Sequence, residues 1–209
     1  MKKVLLLPTM KEVLNYFDQY LVLSTEAKEL ILSTIDFIKV RRGTHLITVG
    51  NINNYMYLIK KGVVRGYYFK EYNEITISLW MENEIFGDVT TYITRNSAIK
   101  SYQASEDLEL YRINIVNFRA LFDVSPEICK LGRIMAEKFI VKTEYLKNCL
   151  RDLTAEEKYQ LFLIIRPSLI NRVKLKQIAS YIDIAPETLS RLRHRDLENQ
   201  KKNNLKISQ

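Results

Sequence analysis

The sequence has too few cysteines, histidines and glycines to build several common kinds of site. Its 209 residues include 2 Cys, 2 His and 6 Gly. Two thiols cannot supply the four ligands of an iron–sulfur cluster, and His45 and His194 lie in different segments, which leaves a metal site little to build on. Six glycines make a phosphate-binding loop hard to build, and the sequence has no Walker, Rossmann or His-Glu-x-x-His motif. We therefore expect neither an enzyme nor a metal cofactor.

Long apolar runs are also missing. None approaches the ~20 residues that span a bilayer, and the run from Val4 to Leu7 ends at Pro8, short of the roughly 7 to 15 residues of a secretory signal. Cys129 and Cys149 are too far apart along one predicted helix to bond each other within a chain. We interpret them as buried small hydrophobic residues. The sequence predicts a cytoplasmic protein with no membrane partner.

Basic residues are concentrated late in the chain. Lys and Arg number 32 against 24 Asp and Glu, a formal net charge of +8. Residues 151–209 hold 12 Lys and Arg against 7 Asp and Glu, whereas residues 1–150 hold 20 against 17. A local positive excess favours a polyanionic partner, with an ordinary solvated surface as the alternative.

The middle of the sequence has the pattern of a β-sandwich. A short predicted helix, capped by Ser24, precedes it. From Phe37 to about Ile113, short β-rich runs alternate with turn signals such as Lys61-Gly62, as in a jelly roll. The predicted strands are Phe37–Val40, His45–Val49, Tyr55–Ile59, Val63–Phe69, Ile75–Trp80 and Leu108–Ile113. The aromatic residues of this region fit either the sandwich core or an effector pocket. They are Tyr67, Tyr68, Phe69, Trp80 and Phe86.

A long helix is predicted to follow the sandwich. Ser125 is a capping residue, Pro126 fits the first helical position, and helical periodicity continues to about Leu150. Apolar residues form one stripe along this helix, and Ile134, Val141 and Tyr145 form a second. The main stripe is assigned to a dimer helix and comprises Ile128, Leu131, Met135, Phe139 and Leu146. Two stripes favour packing on the chain's own domain and on a second copy, with fuller burial in one core as the alternative.

The sequence divides into three parts. Residues 151–153 have the character of a hinge, because Thr154 and Glu157 have the spacing of a capping box that begins a new helix. That helix is predicted to stop before Pro167. We expect an α+β protein with a jelly-roll-like β-roll in 1–124, a long dimerisation helix in 125–150, and a separate helical domain in 151–209.

Two short helices near the C-terminus have the pattern of a helix-turn-helix. Leu175, Ile178 and Ile182 share one face of the first helix, and the small Ala179 stands where two helices would cross. Residues 183–185 make a short connection, after which Pro186 opens the second helix.

The second helix has one polar face and one apolar face. Glu187, Ser190, Arg191 and His194 lie opposite Leu189 and Leu192 at 100° per residue. Arg can donate two hydrogen bonds to guanine, Glu can accept from cytosine, and Ser can serve bases or phosphates. These four residues are the predicted base contacts. The predicted phosphate contacts on the flanks of this face are Lys174, Lys176, Arg193 and Arg195.

The segment from Gln177 to Arg191, with Pro-Glu-Thr-Leu-Ser-Arg at 186–191, resembles the DNA-binding end of Crp/Fnr-type transcription regulators, in particular a Bacteroidetes-like branch. The stretches 57–67, 84–88 and 154–159 are similar to the β-roll and post-hinge helix of that family. The resemblance covers residues 10 to 197. It implies a homodimer with a cyclic-nucleotide-binding-like β-roll and a winged helix-turn-helix, in which Glu187 and Arg191 touch bases and Thr188 a phosphate. The partners expected are double-stranded DNA, a second copy and, as a candidate, RNA polymerase.

The sequence departs from that family pattern in three places. Members that bind cyclic AMP carry Arg-Ser/Thr-Ala about ten residues after a Phe-Gly-Glu-like segment, and here Ala98-Ile99-Lys100 stands there. A buried phosphate would therefore lack its bidentate partner. Ala185 replaces a frequent Thr N-cap, and the wing is reduced to one strand around 205–207 or is absent. The candidate effector pocket comprises Phe86, Gly87, Asp88, Arg95 and Lys100, and the effector is a small molecule that the sequence does not name.

Two functions fit these residues. The first is a dimeric, sequence-specific DNA-binding regulator whose β-roll senses an effector. The second is a protein-interaction or ligand-binding module that has lost regulated DNA recognition, which the departure at 98–100 motivates.

Overall fold

The structure is a computed structural model. It describes residues 10–207, with the side chains of that range except 146–151 and 199–207. Its helices are α1 (Met10–Asp18), α2 (Thr25–Leu32), α3 (Val89–Thr94), α4 (Ile115–Val124), α5 (Pro126–Arg151), α6 (Ala155–Ile165), α7 (Leu175–Tyr181) and α8 (Pro186–Ile207), with a 3-10 turn at Pro167–Asn171. Its strands are β1 (Ile35–Val40), β2 (His45–Ile47), β3 (Tyr55–Lys61), β4 (Val64–Lys70), β5 (Asn73–Trp80), β6 (Ile85–Phe86), β7 (Ser101–Ala104) and β8 (Leu108–Asn114).

The strands form two four-stranded sheets, ordered β1-β8-β3-β6 and β2-β7-β4-β5. The pairs β1–β8, β3–β8, β3–β6 and β2–β7 are antiparallel. Gly62 turns the chain between β3 and β4 at φ 110, where a Cβ would collide with the Leu108 side chain and approach the Asp107 carbonyl oxygen to 2.8 Å. The predicted α+β class with an antiparallel β-roll is confirmed.

Two apolar clusters hold the β-roll together. One lies between the two sheets and includes Tyr57, Ile59, Val64, Phe86 and Leu110. The other packs α1, α2 and the start of α5 on the remaining face of the β1-containing sheet; its members include Val13, Phe17, Ile31, Tyr111, Ile128 and Leu131. Burying each large apolar side chain contributes roughly 1.5–3 kcal/mol. The alternating strand pattern therefore produces a layered core.

The predicted helix caps are confirmed. The Ala27 N–H donates to Ser24 Oγ at 3.3 Å, and the Ile128 N–H donates to Ser125 Oγ at 3.3 Å. Thr154 and Glu157 form a reciprocal capping box at the start of α6. That helix ends at Ile165, before Pro167, as predicted. These caps satisfy N–H groups that the first turn of a helix leaves without partners.

Of the two alternatives for the wing, the strand at 205–207 is not formed, because α8 continues as one helix through Ile207. The segment after Leu197 is rich in Lys, Asn and Gln and contains no Gly or Pro that would end a helix. Cys129 is exposed and not buried, because its neighbour Ile128 takes the buried face of α5.

The chain divides into two compact units. The first comprises the described residues of Met1–Gly66 together with Leu79–Thr143. The second comprises Tyr67–Ser78 together with the described residues of Glu144–Gln209, so that the tip of the β4–β5 hairpin groups with α6, α7 and α8. No helix among residues 10–207 is long and apolar enough to cross a membrane.

Candidate nucleic-acid interface and effector region

The helices α7 and α8 form a pair held by a small apolar core. Ile178 and Ala179 of α7 are fully buried, as is Leu189 of α8, and Leu192 is nearly so. Because Ala179 has a short side chain, the two helices can approach each other closely at this point. The sequence predicted this set of buried residues.

The connection between the two helices is short, and Pro186 begins α8 as predicted. Ala185 precedes it and provides a backbone carbonyl that accepts from the Leu189 N–H at 3.1 Å. An alanine has no side-chain oxygen to bind the free N–H groups of the first turn. Ala185 therefore provides no side-chain cap for α8.

The predicted base-reading residues are all exposed. Glu187, Ser190, Arg191 and His194 are exposed on α8, on the side away from the buried leucines. Arg191 donates from Nη2 to Thr188 Oγ1 at 3.4 Å. This bond is long and lies at the surface, so the guanidinium retains most of its hydrogen-bonding capacity. The face offers a carboxylate, a hydroxyl, a guanidinium and an imidazole side by side.

The imidazole of His194 has a neighbour one turn further along α8. His194 Nδ1 lies 3.6 Å from Glu198 Oε1, and both side chains are largely exposed. Residues at i and i+4 are adjacent on a helix surface, and an exposed pair of this kind contributes little to stability.

The predicted phosphate contacts fall into two groups. Lys174 and Lys176 are exposed beside the helix pair. Arg193 instead donates to Asn171 Oδ1 at 3.0 Å, and Arg195 pairs with Glu156 of α6. The hydrogen bond that the Arg195 guanidinium donates to the Glu156 carboxylate raises the pKa of Arg195 and lowers the pKa of Glu156. Both arginines would have to exchange an existing partner for a phosphate.

The role of α6 was missed by sequence reasoning. Besides Glu156, this helix places Gln160 beside α8, where its Nε2 donates to Asp196 Oδ2 at 3.4 Å. It also places Lys158 on the connection between α7 and α8, where Nζ donates to the Asp183 carbonyl oxygen at 3.2 Å. The signal in the sequence was a run of polar residues on one side of a helix, which is equally typical of a solvated face.

Two residues of the candidate effector pocket, Phe86 and Gly87, pack closely against neighbouring side chains. Phe86 is buried between the two sheets, where its ring lies 5.0 Å from Tyr57 and 5.6 Å from Trp80 between centroids. Trp80 in turn stacks on Tyr102 at 5.3 Å. Trp80 and Phe86 thus serve the core. Gly87 packs against Met56, so that a Cβ there would meet Met56 Cγ at 3.0 Å.

The three polar positions of that pocket have separate surroundings. Asp88 is buried and caps α3, since Oδ1 accepts from the Thr91 N–H at 3.0 Å. The Arg95 side chain binds the loop that precedes β3. Its Nη1 donates to the Asn53 carbonyl oxygen at 3.5 Å, and its Nη2 donates to Asn54 Oδ1. Lys100 is half-buried. That these five residues line one effector pocket stays a prediction, with Phe86 buried in the core and Arg95 bound to Asn53 and Asn54.

Burial raises the pKa of two phenols in the aromatic core. It raises the pKa of Tyr57 to about 12, which the nearby Arg112 guanidinium partly opposes. Burial also raises the pKa of Tyr102, with a further contribution from the Asp88 carboxylate. Tyr68 and Phe69, which sequence reasoning considered for the same pocket, are exposed instead.

The long helix α5 has two different halves. Ile128 and Leu131 are fully buried in the core of this chain, and Met135 packs on the same cluster. Ile128 and Leu131, which the sequence assigned to the dimer helix, therefore pack within this chain and are not available to a second copy. Phe139 is 51% exposed and Tyr145 is 67% exposed. Ile140 and Val141 are exposed as well, while the side chain of Leu146 lies outside the described residues.

Residues 37–125 match the family model of the cyclic nucleotide-binding domain. This match spans the strands from β1 to β8 and the helix α4. It contains the residues assigned above to the effector pocket and ends before α5. No curated protein matches the sequence.

Solved structures resemble a larger part of the chain than this domain. FixK2 from Bradyrhizobium japonicum has a TM-score of 0.66 and 16% identity, over 80% of this chain and 86% of that one. A regulator assigned to the Crp/Fnr family from Eubacterium rectale has a TM-score of 0.64 and 20% identity, over 88% of each chain. The c-di-GMP-responsive global regulator CLP from Xanthomonas campestris has a TM-score of 0.64 and 15% identity, over 85% and 93%. The chain therefore shares the fold of Crp/Fnr regulators.

Proposed function

We propose that this chain is a sequence-specific DNA-binding transcription regulator. The observation that carries the proposal is the exposure of Glu187, Ser190, Arg191 and His194 on α8, opposite the buried Leu189 and Leu192. The pair α7 and α8 then acts as a helix-turn-helix whose second helix enters the major groove. The basic excess of residues 151–209 supports attraction to the duplex.

The chemistry of the exposed face fits base edges. The Arg191 guanidinium can donate two parallel hydrogen bonds to guanine, and the Glu187 carboxylate can accept from the amino group of cytosine. The exposed Lys174 and Lys176 flank this face and supply charge for phosphates. Thr188 is half-buried beside Arg191 and is proposed as a further phosphate contact.

The proposed regulator is a homodimer formed through the second half of α5. Phe139, Ile140, Val141 and Tyr145 are exposed there, and a group of apolar side chains on one helix segment is typical of an interface. A symmetric dimer presents two copies of α8 to two half-sites about one helical turn apart. RNA polymerase is a candidate further partner of the DNA-bound dimer.

The β-roll is proposed to sense a small molecule. It is not proposed to bind cyclic AMP through the arginine–phosphate pair of the family members that bind this nucleotide. Its interior holds an aromatic stack and the buried Asp88, whose Oδ2 has no hydrogen-bond partner among the described residues. A buried carboxylate repels the negative charge of a phosphate. Binding of a cyclic phosphate requires a cationic donor instead. Arg95 is held by Asn53 and Asn54, and Ala98 is buried in the core.

The proposal is tested by in vitro selection from random duplex DNA with the purified chain, followed by binding titrations on the selected and a scrambled duplex. Arg191→Ala should lower affinity for the selected duplex by about ten- to a hundredfold, since a bidentate base contact contributes about 1–3 kcal/mol. Arg41→Ala removes an exposed arginine of the β-roll and is the matched control. If selection enriches no sequence, the alternative of a protein-interaction or ligand-binding module is favoured. An unchanged affinity of Arg191→Ala would disprove the assigned base-reading face.

A further inference from the structure

The turn that joins α7 to α8 is closed by two backbone hydrogen bonds. The Ile184 N–H donates to the Ala179 carbonyl at 3.0 Å, and the Asp183 N–H donates to the Ser180 carbonyl at 3.3 Å. This is the pattern of a Schellman motif, in which the residue after the cap adopts a left-handed conformation and is usually glycine. Here that residue is Asp183, with φ 54. A side chain at such a φ is unfavourable, so the turn needs support from elsewhere.

Lys158 supplies that support from α6. Its Nζ donates to the Asp183 carbonyl oxygen at 3.2 Å and lies 3.5 Å from Asp183 Oδ2. The Lys158 side chain is only 14% exposed, whereas that of Asp183 is 98% exposed. The ammonium group is thus sheltered and directed at the turn. Its own helix is fixed at the start by the Thr154 capping box.

We infer that Lys158 is a positioning residue for DNA recognition: it holds the turn at Asp183 and thereby sets the direction in which α8 leaves α7. Pro186 and Glu187 follow this turn directly, so a change in the turn moves the start of the polar face. A recognition residue must be held close to its productive geometry by the groups behind it. The inference rests on the proposed function, because it concerns the orientation of the same face.

A direct phosphate contact by Lys158 is the competing explanation, and the two roles have different signatures. A lysine that binds a phosphate contributes to binding of every sequence, and its loss reduces the salt dependence of binding by about one counterion. A lysine that positions α8 contributes to binding of the selected sequence only. Its loss leaves binding to scrambled DNA and the salt dependence unchanged.

The test compares Lys158→Met and Lys158→Arg in the full chain on selected and scrambled duplexes at several salt concentrations. Lys158→Met keeps the apolar stem and should lose about tenfold in affinity for the selected duplex, the size expected for a charge-assisted hydrogen bond. Lys158→Arg should recover most of that loss. Lys39→Met is the matched control, since Lys39 forms a surface pair with Glu109 in the β-roll.

A second measurement reads the turn without DNA. Hydrogen exchange at the Ile184 amide should be faster in Lys158→Met and unchanged in Lys39→Met. In an Asp183→Gly background, Lys158→Met should cost much less affinity, because glycine adopts a positive φ without strain. Equal losses on both duplexes with a weaker salt dependence would overturn the inference, as would an unchanged Ile184 exchange rate. A wild-type chain that selects no sequence overturns the proposed function and with it the recognition role, and Ile184 exchange then still reports whether Lys158 holds the turn.

Discussion

Ser180 binds both backbone groups of Thr76. Its Oγ accepts from the Thr76 N–H at 2.9 Å and donates to the Thr76 carbonyl at 3.3 Å. Thr76 lies in β5, the last strand of its sheet, whose outer edge would otherwise be left without strand partners. One hydroxyl of α7 therefore takes the place of a neighbouring strand.

Ser180→Ala should release this edge at small cost to α7, because alanine is the best helix former. We expect faster hydrogen exchange at the Thr76 amide and a loss of about 1–2 kcal/mol in the free energy of unfolding. Exchange measured by mass spectrometry or NMR checks the first effect, and urea denaturation checks the second. Unchanged exchange at Thr76 would show that the bond is not formed in solution.

Leu189 and Ser190 are neighbours on α8 with opposite surroundings. Leu189→Ala removes a fully buried side chain and should lower the free energy of unfolding of the C-terminal helices by about 2–5 kcal/mol. Ser190→Ala changes an exposed residue and should leave stability nearly unchanged. Thermal unfolding followed by circular dichroism separates the two. Similar stability losses in both variants would contradict the orientation of α8.

The second half of α5 should mediate self-association. Phe139→Asp places a charge in the exposed apolar group and should shift a dimer towards monomer in sedimentation equilibrium. Lys130→Asp changes charge at an exposed position nearer the start of the helix and serves as the control. Leu131→Ala should instead lower stability by about 2–5 kcal/mol. A wild-type chain that is monomeric at all concentrations would rule out this interface.

The Glu157 carboxylate should make the start of α6 sensitive to acid. Hydrogen bonds from the side chain and backbone of Thr154 lower the pKa of Glu157 from its ordinary value of 4.5. A lowered pKa in the folded state stabilises the fold above the ordinary value, and this stabilisation is lost as the pH falls through the folded pKa. Glu157→Gln should therefore be less stable than wild type near neutral pH, and the difference should vanish in acid. Denaturation at a series of pH values measures this, and a constant difference would contradict it.

The pair of Arg195 with Glu156 should limit phosphate binding. Glu156→Gln removes the carboxylate and should raise affinity for scrambled DNA by up to about fivefold, since an exposed ion pair holds Arg195 only weakly. Titrations at low salt are the most sensitive, because screening weakens the effect. Glu26→Gln alters an exposed residue at the start of α2 and is the control. A lower affinity would indicate that the pair positions α8 for binding.

Local signals in the sequence predicted most of the fold. Ser24, Ser125 and Thr154 cap their helices through atoms three residues away, so their role is visible in a short window. The strand β6 has only two residues, and such a segment has no period to detect. Asp88 is a normal N-cap for α3, but its place in a family motif led to a different interpretation.

Long-range contacts account for what sequence reasoning missed. Arg95 was assigned to the pocket for its charge, yet its partners Asn53 and Asn54 are about forty residues away in the sequence. Arg195 and Glu156 lie on different helices, and no periodicity connects them. Ile128 and Leu131 were correctly predicted as apolar and in one stripe, but the pattern does not specify which surface a stripe covers.

The unbroken length of α8 has a geometric consequence for any complex with a duplex. At 1.5 Å per residue, its 22 residues extend ~33 Å, nearly three times the ~12 Å width of the major groove. If only the first turns of α8 approach the base edges, the rest of the helix cannot lie inside the groove. The distal half of α8 must then project past the rim of the groove.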